Sequence, residues 1–190
     1  LSFAALLALA GCQSEIEPKT KVRIQAEAQQ MQLASRPPMR WGARNGSDEW
    51  TRATLAALDR DGVTILSNVP HDIQTYCPNY AELGHTGRKA FWAGLLSALA
   101  KHESTYNPQA SGGGGRWLGL MQIAPATWRH YDCSGNITSG ADNMACAVRI
   151  MSRQVGRDNA VVRDGSGGWR GVARDWAPMR SASKRADIAA

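Results

Sequence analysis

The sequence lacks an apolar run of the length that a transmembrane helix needs, and it lacks metal-ligand spacing. Residues 1–10 are apolar, but they supply only about half of the roughly 20 residues that span a bilayer. No Cys-x-x-Cys occurs, and Tyr106 stands where a zinc-binding helix that starts like His102-Glu103 would place a second histidine. The histidines that show no ligand spacing are His71, His85, His102 and His130. We therefore expect no metal site and no cofactor.

Sequence motifs of nucleic-acid binding are also missing, although the chain is basic. Lys and Arg number 22 against 16 Asp and Glu, so the formal charge is +6. This charge favours an anionic polymer or surface as partner. There is no zinc-finger spacing, no RNP-type aromatic motif and no basic helix with heptads, so nucleic acid is not the expected partner. The 43% hydrophobic and 20% charged residues suit one compact domain.

The N-terminal residues resemble the end of a bacterial export signal. Leu9-Ala10-Gly11-Cys12 is similar to a lipobox, in which small residues admit a signal peptidase and the cysteine is lipidated. The chain does not begin with Met, so we take residues 1–12 as the remnant of a lipoprotein signal. The absence of Asp after Cys12 favours the outer membrane by the same resemblance. We expect a lipid-anchored protein on the periplasmic side of that membrane; the alternative is an ordinary secretory signal.

The cysteines fit an oxidising compartment. Cys133 and Cys146 flank a short polar loop and are the predicted disulfide, since closing a loop of about 14 residues stabilises a fold by ~3 kcal/mol. If Cys12 carries lipid, Cys77 has no partner within the chain, and the sequence does not decide its state.

The residue pattern predicts a mostly α-helical domain between two non-domain ends. Residues 13–40 are interpreted as a tether, 41–180 as the domain and 181–190 as a tail. Within the domain, Ser47 is the predicted cap of a helix that Gly62 ends, and residues 63–69 are predicted to be a short strand or extended segment. Further helices are expected at about 86–104, 125–128, 141–156 and 169–176.

Glu103 continues an apolar helical stripe. Three apolar residues precede it at successive steps of four, namely Phe91, Leu95 and Leu99. Burial raises the pKa of a carboxyl group, and an acid that is protonated near neutral pH can donate to a glycosidic oxygen. The alternative is a structural glutamate that pairs with Lys101 or His102. From Leu83 onward Glu103 is the only glutamate, so any glutamate-based catalysis in this half depends on it.

Two motifs in order resemble the soluble lytic transglycosylase catalytic domain of the lysozyme-like superfamily. Residues 103–108 (Glu-Ser-Thr-Tyr-Asn-Pro) precede residues 119–122 (Gly-Leu-Met-Gln), and Asn136-Ile137 with Gly140 is similar to the third family motif. The resemblance covers about residues 90–180. It implies a lysozyme-like helical fold, peptidoglycan as partner, Glu103 as catalytic acid and Gln122 in the sugar cleft. More loosely, it implies cleft roles for Ser104, Tyr106, Met121 and Asn136.

Two departures from the family pattern affect the predicted cleft. Gly112 stands where many members have a substrate-binding serine, and the fourth motif, Ala-Tyr-Asn-Ala-Gly, is absent. Tyr131 and Trp176 are the candidates for the tyrosine of that motif. Trp117, in a glycine-rich loop, is a further candidate for the cleft because an indole stacks on sugar rings.

The resemblance implies substrate-assisted cleavage between N-acetylmuramic acid and N-acetylglucosamine. One carboxyl group would then form 1,6-anhydro ends without a second carboxylate. The first alternative is a hydrolytic muramidase, which would use Asp132 or Asp142 to activate water. The second is a non-catalytic wall-binding lipoprotein. In each case we expect a monomer.

Overall fold

The computed structural model describes residues 20–23, 36–163 and 165–190. It separates the chain into two compact units, residues 1–36 and 37–190. Within the first unit, residues 20–23 are helical and exposed. Cys12 and most of the predicted tether lie outside the described residues. The second unit is the domain, and it is mostly helical, as predicted.

Helices form the body of the domain. They are α1 (Ser47–Asp61), α2 (Val63–Ser67), α3 (His85–Ser104), α4 (Pro125–His130), α5 (Gly140–Asp158) and α6 (Ala182–Ala189). A short antiparallel hairpin joins β1 (Ser111–Gly112) to β2 (Trp117–Leu118). In the part of the chain that the structure describes, no helix has both the length and the apolar character required to cross a membrane.

Helix α3 runs through the core. Its middle is buried almost all round, as expected of a helix that is enclosed by neighbours rather than packed on one face. The Trp92 indole donates a 2.7 Å hydrogen bond to the Tyr80 hydroxyl, which in turn donates to the Ile65 carbonyl at 2.8 Å. These bonds satisfy polar groups inside the core and tie α3 to α2. They therefore fix the helix that carries Glu103.

Helices α1 and α5 pack closely against each other. A Cβ added at Gly140 would approach the Trp50 indole nitrogen to 2.2 Å, so the first turn of α5 fits against α1 only without a side chain there. Ser47 was predicted to cap α1, but it is the first residue of the helix. The capping position is occupied by Gly46, which has φ +82°. Helix α5 in turn supports the loop segment 118–122 through Asn143.

The predicted strand at residues 63–69 is wrong, because Val63–Ser67 form α2. β-branched residues suggested a strand, but the consecutive residues Ile65 and Leu66 are both buried, and a half-buried strand would bury alternate residues. Tertiary packing overrides the local β preference at this point.

The predicted helix at 169–176 is confirmed only in part. Two 3₁₀ turns, Gly171–Arg174 and Ala177–Arg180, occupy this region. A Cβ at Gly171 would lie 1.9 Å from the Ala160 carbonyl oxygen, and its backbone N–H donates to the Asp158 carboxylate at 2.7 Å. Gly171 also has φ +47°, which a right-handed helix does not accommodate, so a continuous helix cannot pass through it.

The ends of the domain extend beyond the predicted limits of 41 and 180. The compact unit begins at Pro37, and the Arg40 N–H donates to the Ser97 hydroxyl of α3 at 3.0 Å. The predicted tail forms α6, which buries Ile188. Asp187 of α6 contacts His102 Nε2 at 2.7 Å, so this helix packs beside the end of α3.

The predicted disulfide between Cys133 and Cys146 is present, with a Cα–Cα distance of 5.4 Å. It joins the residues after α4 to the first half of α5. Cys77 is a free thiol in the described part of the chain.

Candidate active site

Glu103 lies one residue before the end of α3, with its side chain half-buried. It makes no hydrogen bond or ion pair with any residue that the structure describes. Burial raises the pKa of Glu103 from 4.5 to about 7, and the positive charge of Lys184 opposes this only in part. The predicted alternative was a structural glutamate paired with Lys101 or His102. Glu103 does not form this pair, because Lys101 and His102 both contact Asp187. With a pKa of about 7, Glu103 is thus an acid that is still partly protonated at neutral pH.

The chain after Glu103 has an unfavourable backbone. Thr105 and Tyr106 are consecutive non-glycine residues in the left-handed region, with φ 52° and 64°. This conformation costs energy, especially for a β-branched residue, and it persists only where the surrounding structure holds it. It ends α3 abruptly beside Glu103, and the Thr105 N–H still donates to the Lys101 carbonyl.

The segment 118–122 forms a second wall opposite α3, and Asn143 of α5 holds it. The buried Asn143 amide donates to the carbonyls of Leu118 and Ile137 and accepts from the Met121 N–H at 2.8 Å. Gly119 has φ +79°, and a Cβ there would lie 2.3 Å from the Asn143 amide. The glycine of the second motif is therefore required both by its conformation and by this close approach.

Gln122 has a fixed side-chain orientation. Its amide nitrogen donates to the carbonyls of Ala110 and Gly119 at 3.2 and 2.9 Å. The side-chain amide oxygen of Gln122 lies so close to Gly112 that a Cβ added to Gly112 would be only 2.4 Å from this oxygen. The departure from the family pattern at Gly112 thus has a structural reason: the glycine leaves the space that the Gln122 side chain uses.

Trp117, on β2, is the large aromatic residue with the greatest exposure in the described chain, at 44%. The guanidinium carbon of Arg116 lies 5.3 Å from its ring centroid, and Gly113 lies against the ring. An exposed indole held on one side in this way offers a flat apolar surface to a ligand.

These side chains border one open cavity of about 420 Å³, whose lining consists of Glu103, Trp117, Gln122, Asp175, Ala177 and Arg180. The third wall comes from the 3₁₀ turns after α5. Arg180 is held there by hydrogen bonds to the carbonyls of Ala173 and Arg174. A separate cavity of about 250 Å³ beside α3 and α6 is lined by no carboxylate side chain. The Glu103 cavity is therefore the candidate active site.

The other residues predicted for the cleft do not line this cavity. Met121 is completely buried, and its carbonyl accepts from the Trp176 indole at 2.9 Å, so both serve the core beneath the cleft. Ser104 donates back to the Ala100 carbonyl within α3. Tyr106 is buried under the guanidinium of Arg44.

Tyr131 and Asn136 also lie away from the lining. Tyr131 is buried, and its hydroxyl accepts from Gln154 of α5 at 2.8 Å. Asn136 caps its own loop by accepting from the Thr138 N–H at 2.9 Å. The sequence has no tyrosine after Tyr131, so residues 168–180, which occupy the usual place of the fourth motif, supply no tyrosine hydroxyl.

The two aspartates predicted for a hydrolytic mechanism are not in the cavity. Asp142 accepts from the Asn136 N–H beside the disulfide, and Asp132 lies on an exposed turn with φ 50°. Instead the structure brings Asp175 and Arg180 to Glu103. The sequence offered one signal for them: both belong to residues 168–180, which occupy the place where the resembled family has its fourth motif.

Comparisons with known proteins agree with this geometry. Residues 83–163 match the family described as Transglycosylase SLT domain. Three solved structures of Bd0314 DslA are similar: the wild type (form 2), with 26% identity and a TM-score of 0.71, and two glutamate-to-glutamine mutants, with 26% and 25% identity and TM-scores of 0.72 and 0.71. Each alignment covers 80% of this chain and 93% of the other. No curated protein sequence matches the chain.

The matches confirm the predicted lysozyme-like helical fold, and the SLT domain model accounts for residues 83–163 of it. The matched residues include Glu103 and Gln122, but they end before the third wall of the cavity begins. Asp175 and Arg180 are therefore features of this chain that the family match does not describe.

Proposed function

We propose that this chain is a peptidoglycan lytic transglycosylase that cleaves the β-1,4 bond between N-acetylmuramic acid and N-acetylglucosamine and leaves 1,6-anhydro ends. The observation that carries the proposal is Glu103, an unpaired carboxyl group whose pKa burial raises to about 7, facing a cavity in an SLT-type domain. A carboxyl group in this environment is suited to both donating and accepting a proton near neutral pH.

In the first step Glu103 donates its proton to the glycosidic oxygen, and the bond between C1 of the muramic sugar and that oxygen breaks. The carbonyl oxygen of the 2-acetamido group of the same sugar bonds to C1, so an oxazolinium ring forms. The departing N-acetylglucosamine leaves with a free 4-hydroxyl. Glu103 is now a carboxylate in a partly desolvated place, which makes it a competent base.

In the second step Glu103 takes the proton of the C6 hydroxyl, whose oxygen bonds to C1 while the bond from C1 to the acetamido oxygen breaks. The product is a 1,6-anhydro sugar, and Glu103 returns to its protonated state. No water is consumed, and one carboxyl group serves both steps.

The rest of the cavity suits a glycan strand. Trp117 presents an apolar face for a sugar ring, and the Gln122 side chain is held in one orientation by two carbonyl groups. Arg180 adds a positive charge for the lactyl or peptide carboxylates of the wall. The formal charge of +6 favours the same anionic polymer.

A hydrolytic muramidase of the same fold is the second candidate, because Asp175 lines the same cavity as Glu103. A second carboxylate is what hydrolysis with an activated water requires. The wall-binding alternative has no such support, because a binder gains nothing from leaving a half-buried acid unpaired.

The test is digestion of purified peptidoglycan followed by mass spectrometry of the released muropeptides. We expect ends that are lighter by one water than hydrolysis gives and that resist borohydride reduction. Glu103→Gln should fold and bind wall but cleave at least about 10³-fold more slowly, because one residue supports both steps.

The matched control is Glu82→Gln, since Glu82 is exposed and lines none of the cavities described above. It should cleave like the wild type. Reducible ends from the wild type would refute the lyase and favour the muramidase. Cleavage by Glu103→Gln at the rate of Glu82→Gln would exclude Glu103 from the mechanism.

We further propose that the protein acts as a monomer on the periplasmic side of the outer membrane, anchored by lipid on Cys12. The lipobox-like residues 9–12 support the anchor, and the Cys133–Cys146 disulfide supports an oxidising compartment. Labelled palmitate should enter the wild type and not Cys12→Ser, which should move to the soluble fraction. Membrane retention of unlabelled Cys12→Ser would contradict the anchor.

A further inference from the structure

Asp175 is a carboxylate that the one-acid mechanism leaves unused. It lies on the exposed third wall of the Glu103 cavity, directly after the 3₁₀ turn Gly171–Arg174. No described Lys, Arg or His forms an ion pair with it, and Arg180 of the same wall donates to backbone carbonyls instead.

A buried glutamine holds Asp175 in place. Gln154 of α5 is 7% exposed, and its amide nitrogen donates to the Asp175 carboxylate at 2.7 Å and to the Tyr131 hydroxyl at 2.8 Å. Its amide oxygen accepts from the Arg157 guanidinium. Because a guanidinium can only donate, the oxygen of Gln154 must face Arg157, and the nitrogen must face Asp175. The orientation of the amide is thus determined.

This arrangement gives Asp175 a defined acceptor role. Gln154 donates to one carboxylate oxygen of Asp175, and no described residue donates to the other. Support from a buried, fully hydrogen-bonded residue is what holds a functional side chain to a fixed geometry. The sequence alone showed none of this, because Gln154 and Asp175 are 21 residues apart.

We propose that Asp175 is a second catalytic residue, which accepts the N–H of the 2-acetamido group of the sugar whose C1 reacts. This inference rests on the proposed function. When the acetamido oxygen bonds to C1, positive charge spreads onto the acetamido nitrogen, and a hydrogen bond from its N–H to a carboxylate becomes stronger. The bond is therefore worth more in the transition state than in the bound substrate, which lowers the barrier.

The proposal adds no proton transfer to the mechanism. The proton given to the leaving oxygen still comes from Glu103, and the C6 hydroxyl proton still returns to it. Asp175 transfers no proton and only accepts a hydrogen bond. The two carboxyl groups thus have different roles: the half-buried Glu103 transfers protons, and the exposed Asp175 accepts a hydrogen bond.

The experiment compares Asp175→Asn with Asp132→Asn in the full chain. Asn keeps the size of Asp and can still accept from Gln154, so melting temperatures should stay near that of the wild type. We expect Asp175→Asn to lower kcat on soluble glycan strands about 10²-fold with KM changed less than threefold. Asp132→Asn is the control, because its exposed side chain lies outside the cavity and Asn tolerates its positive φ.

Binding of N-acetylglucosamine-thiazoline, a stable mimic of the oxazolinium ring, separates this role from a structural one. Asp175→Asn should weaken its binding at least about tenfold by calorimetry, whereas Asp132→Asn should not. Normal kcat or unchanged thiazoline affinity in a folded Asp175→Asn protein would overturn the proposal.

The products distinguish failure of this proposal from failure of the proposed function. If Glu103→Gln is inactive and wild-type ends are anhydro, the lyase stands, and the Asp175 variant alone decides the role of Asp175. If the wild type yields reducible ends that Asp175→Asn removes, Asp175 activates water, and both proposals fall.

Discussion

Replacing the proposed acid should stabilise the protein, and the size of the effect follows from its burial. The rise in the pKa of Glu103 from 4.5 to about 7 means that the folded protein holds this proton more tightly than the unfolded chain does. At 1.36 kcal/mol for each pKa unit, ionising Glu103 costs the folded state about 3 kcal/mol. Gln has the same shape and no charge, so Glu103→Gln avoids this cost.

The sign of the pH dependence follows from linkage. Between pH 4.5 and about 7 the folded state binds more protons at Glu103 than the unfolded state, so the free energy of unfolding falls as the pH rises. Below this window the wild type and Glu103→Gln should differ by a constant amount. Above pH 7 the variant should have gained about 3 kcal/mol on the wild type, or roughly 6–12 °C in Tm.

Urea denaturation of both proteins at intervals from pH 4 to pH 8.5 measures this difference. Glu82→Gln should follow the wild type at every pH, since it removes an exposed glutamate. A pH-independent difference between the wild type and Glu103→Gln would refute the reasoning, because the Glu103 carboxyl would then not be desolvated in the folded state. Loss of activity together with this gain in stability would mark Glu103 as a residue kept for function.

Two further predictions concern parts of the domain around the cleft. Gly112→Ser, which introduces the common family residue, should lower kcat/KM about tenfold or more, because its Cβ would displace the hydrogen-bonded Gln122 side chain. Gly84→Ser is the control, since a side chain at Gly84 would meet open space, and it should leave kcat/KM unchanged. Equal rates for the two variants would contradict the explanation. Cys146→Ser should lower the free energy of unfolding by about 3 kcal/mol through loss of the disulfide to Cys133. A reductant should lower the stability of the wild type by the same amount and leave the variant unchanged. A wild type whose stability does not respond to reductant would show that the disulfide does not contribute.

Local sequence patterns were sufficient to predict several structural features of this protein. The apolar stripe before Glu103 predicted α3 almost to the residue, because side chains four apart share a helix face whatever surrounds them. The polar loop between Cys133 and Cys146 predicted the disulfide, since the short separation keeps the two cysteines within reach. The order of the two motifs predicted an SLT-type domain, in which Glu103 and Gln122 line one cavity.

Local preference was misleading where distant contacts outweigh it. Val63–Ser67 carry strand-forming residues, but they are helical because consecutive side chains are buried. Residues 182–189 are polar enough to suggest a tail, yet they pack as α6 through Ile188 and through ion pairs of Asp187 with α3. Propensity is worth tenths of a kcal/mol per residue, whereas burial of a large apolar side chain is worth about 1.5–3 kcal/mol.

The residues of the cleft also divide into those that the sequence predicted and those that only the folded structure identified. The sequence by itself determined that Glu103 is the only glutamate after Leu83, and it predicted that Glu103 continues an apolar helix face. Only the tertiary structure decided that Asp175, and not Asp132 or Asp142, lines the cavity with it, because that choice depends on how the chain turns back after α5. The turn is set by Gly171 against the backbone of Ala160 and by Gln154 beneath Asp175. Such contacts join residues that share no local pattern, so they exist only once the domain has folded.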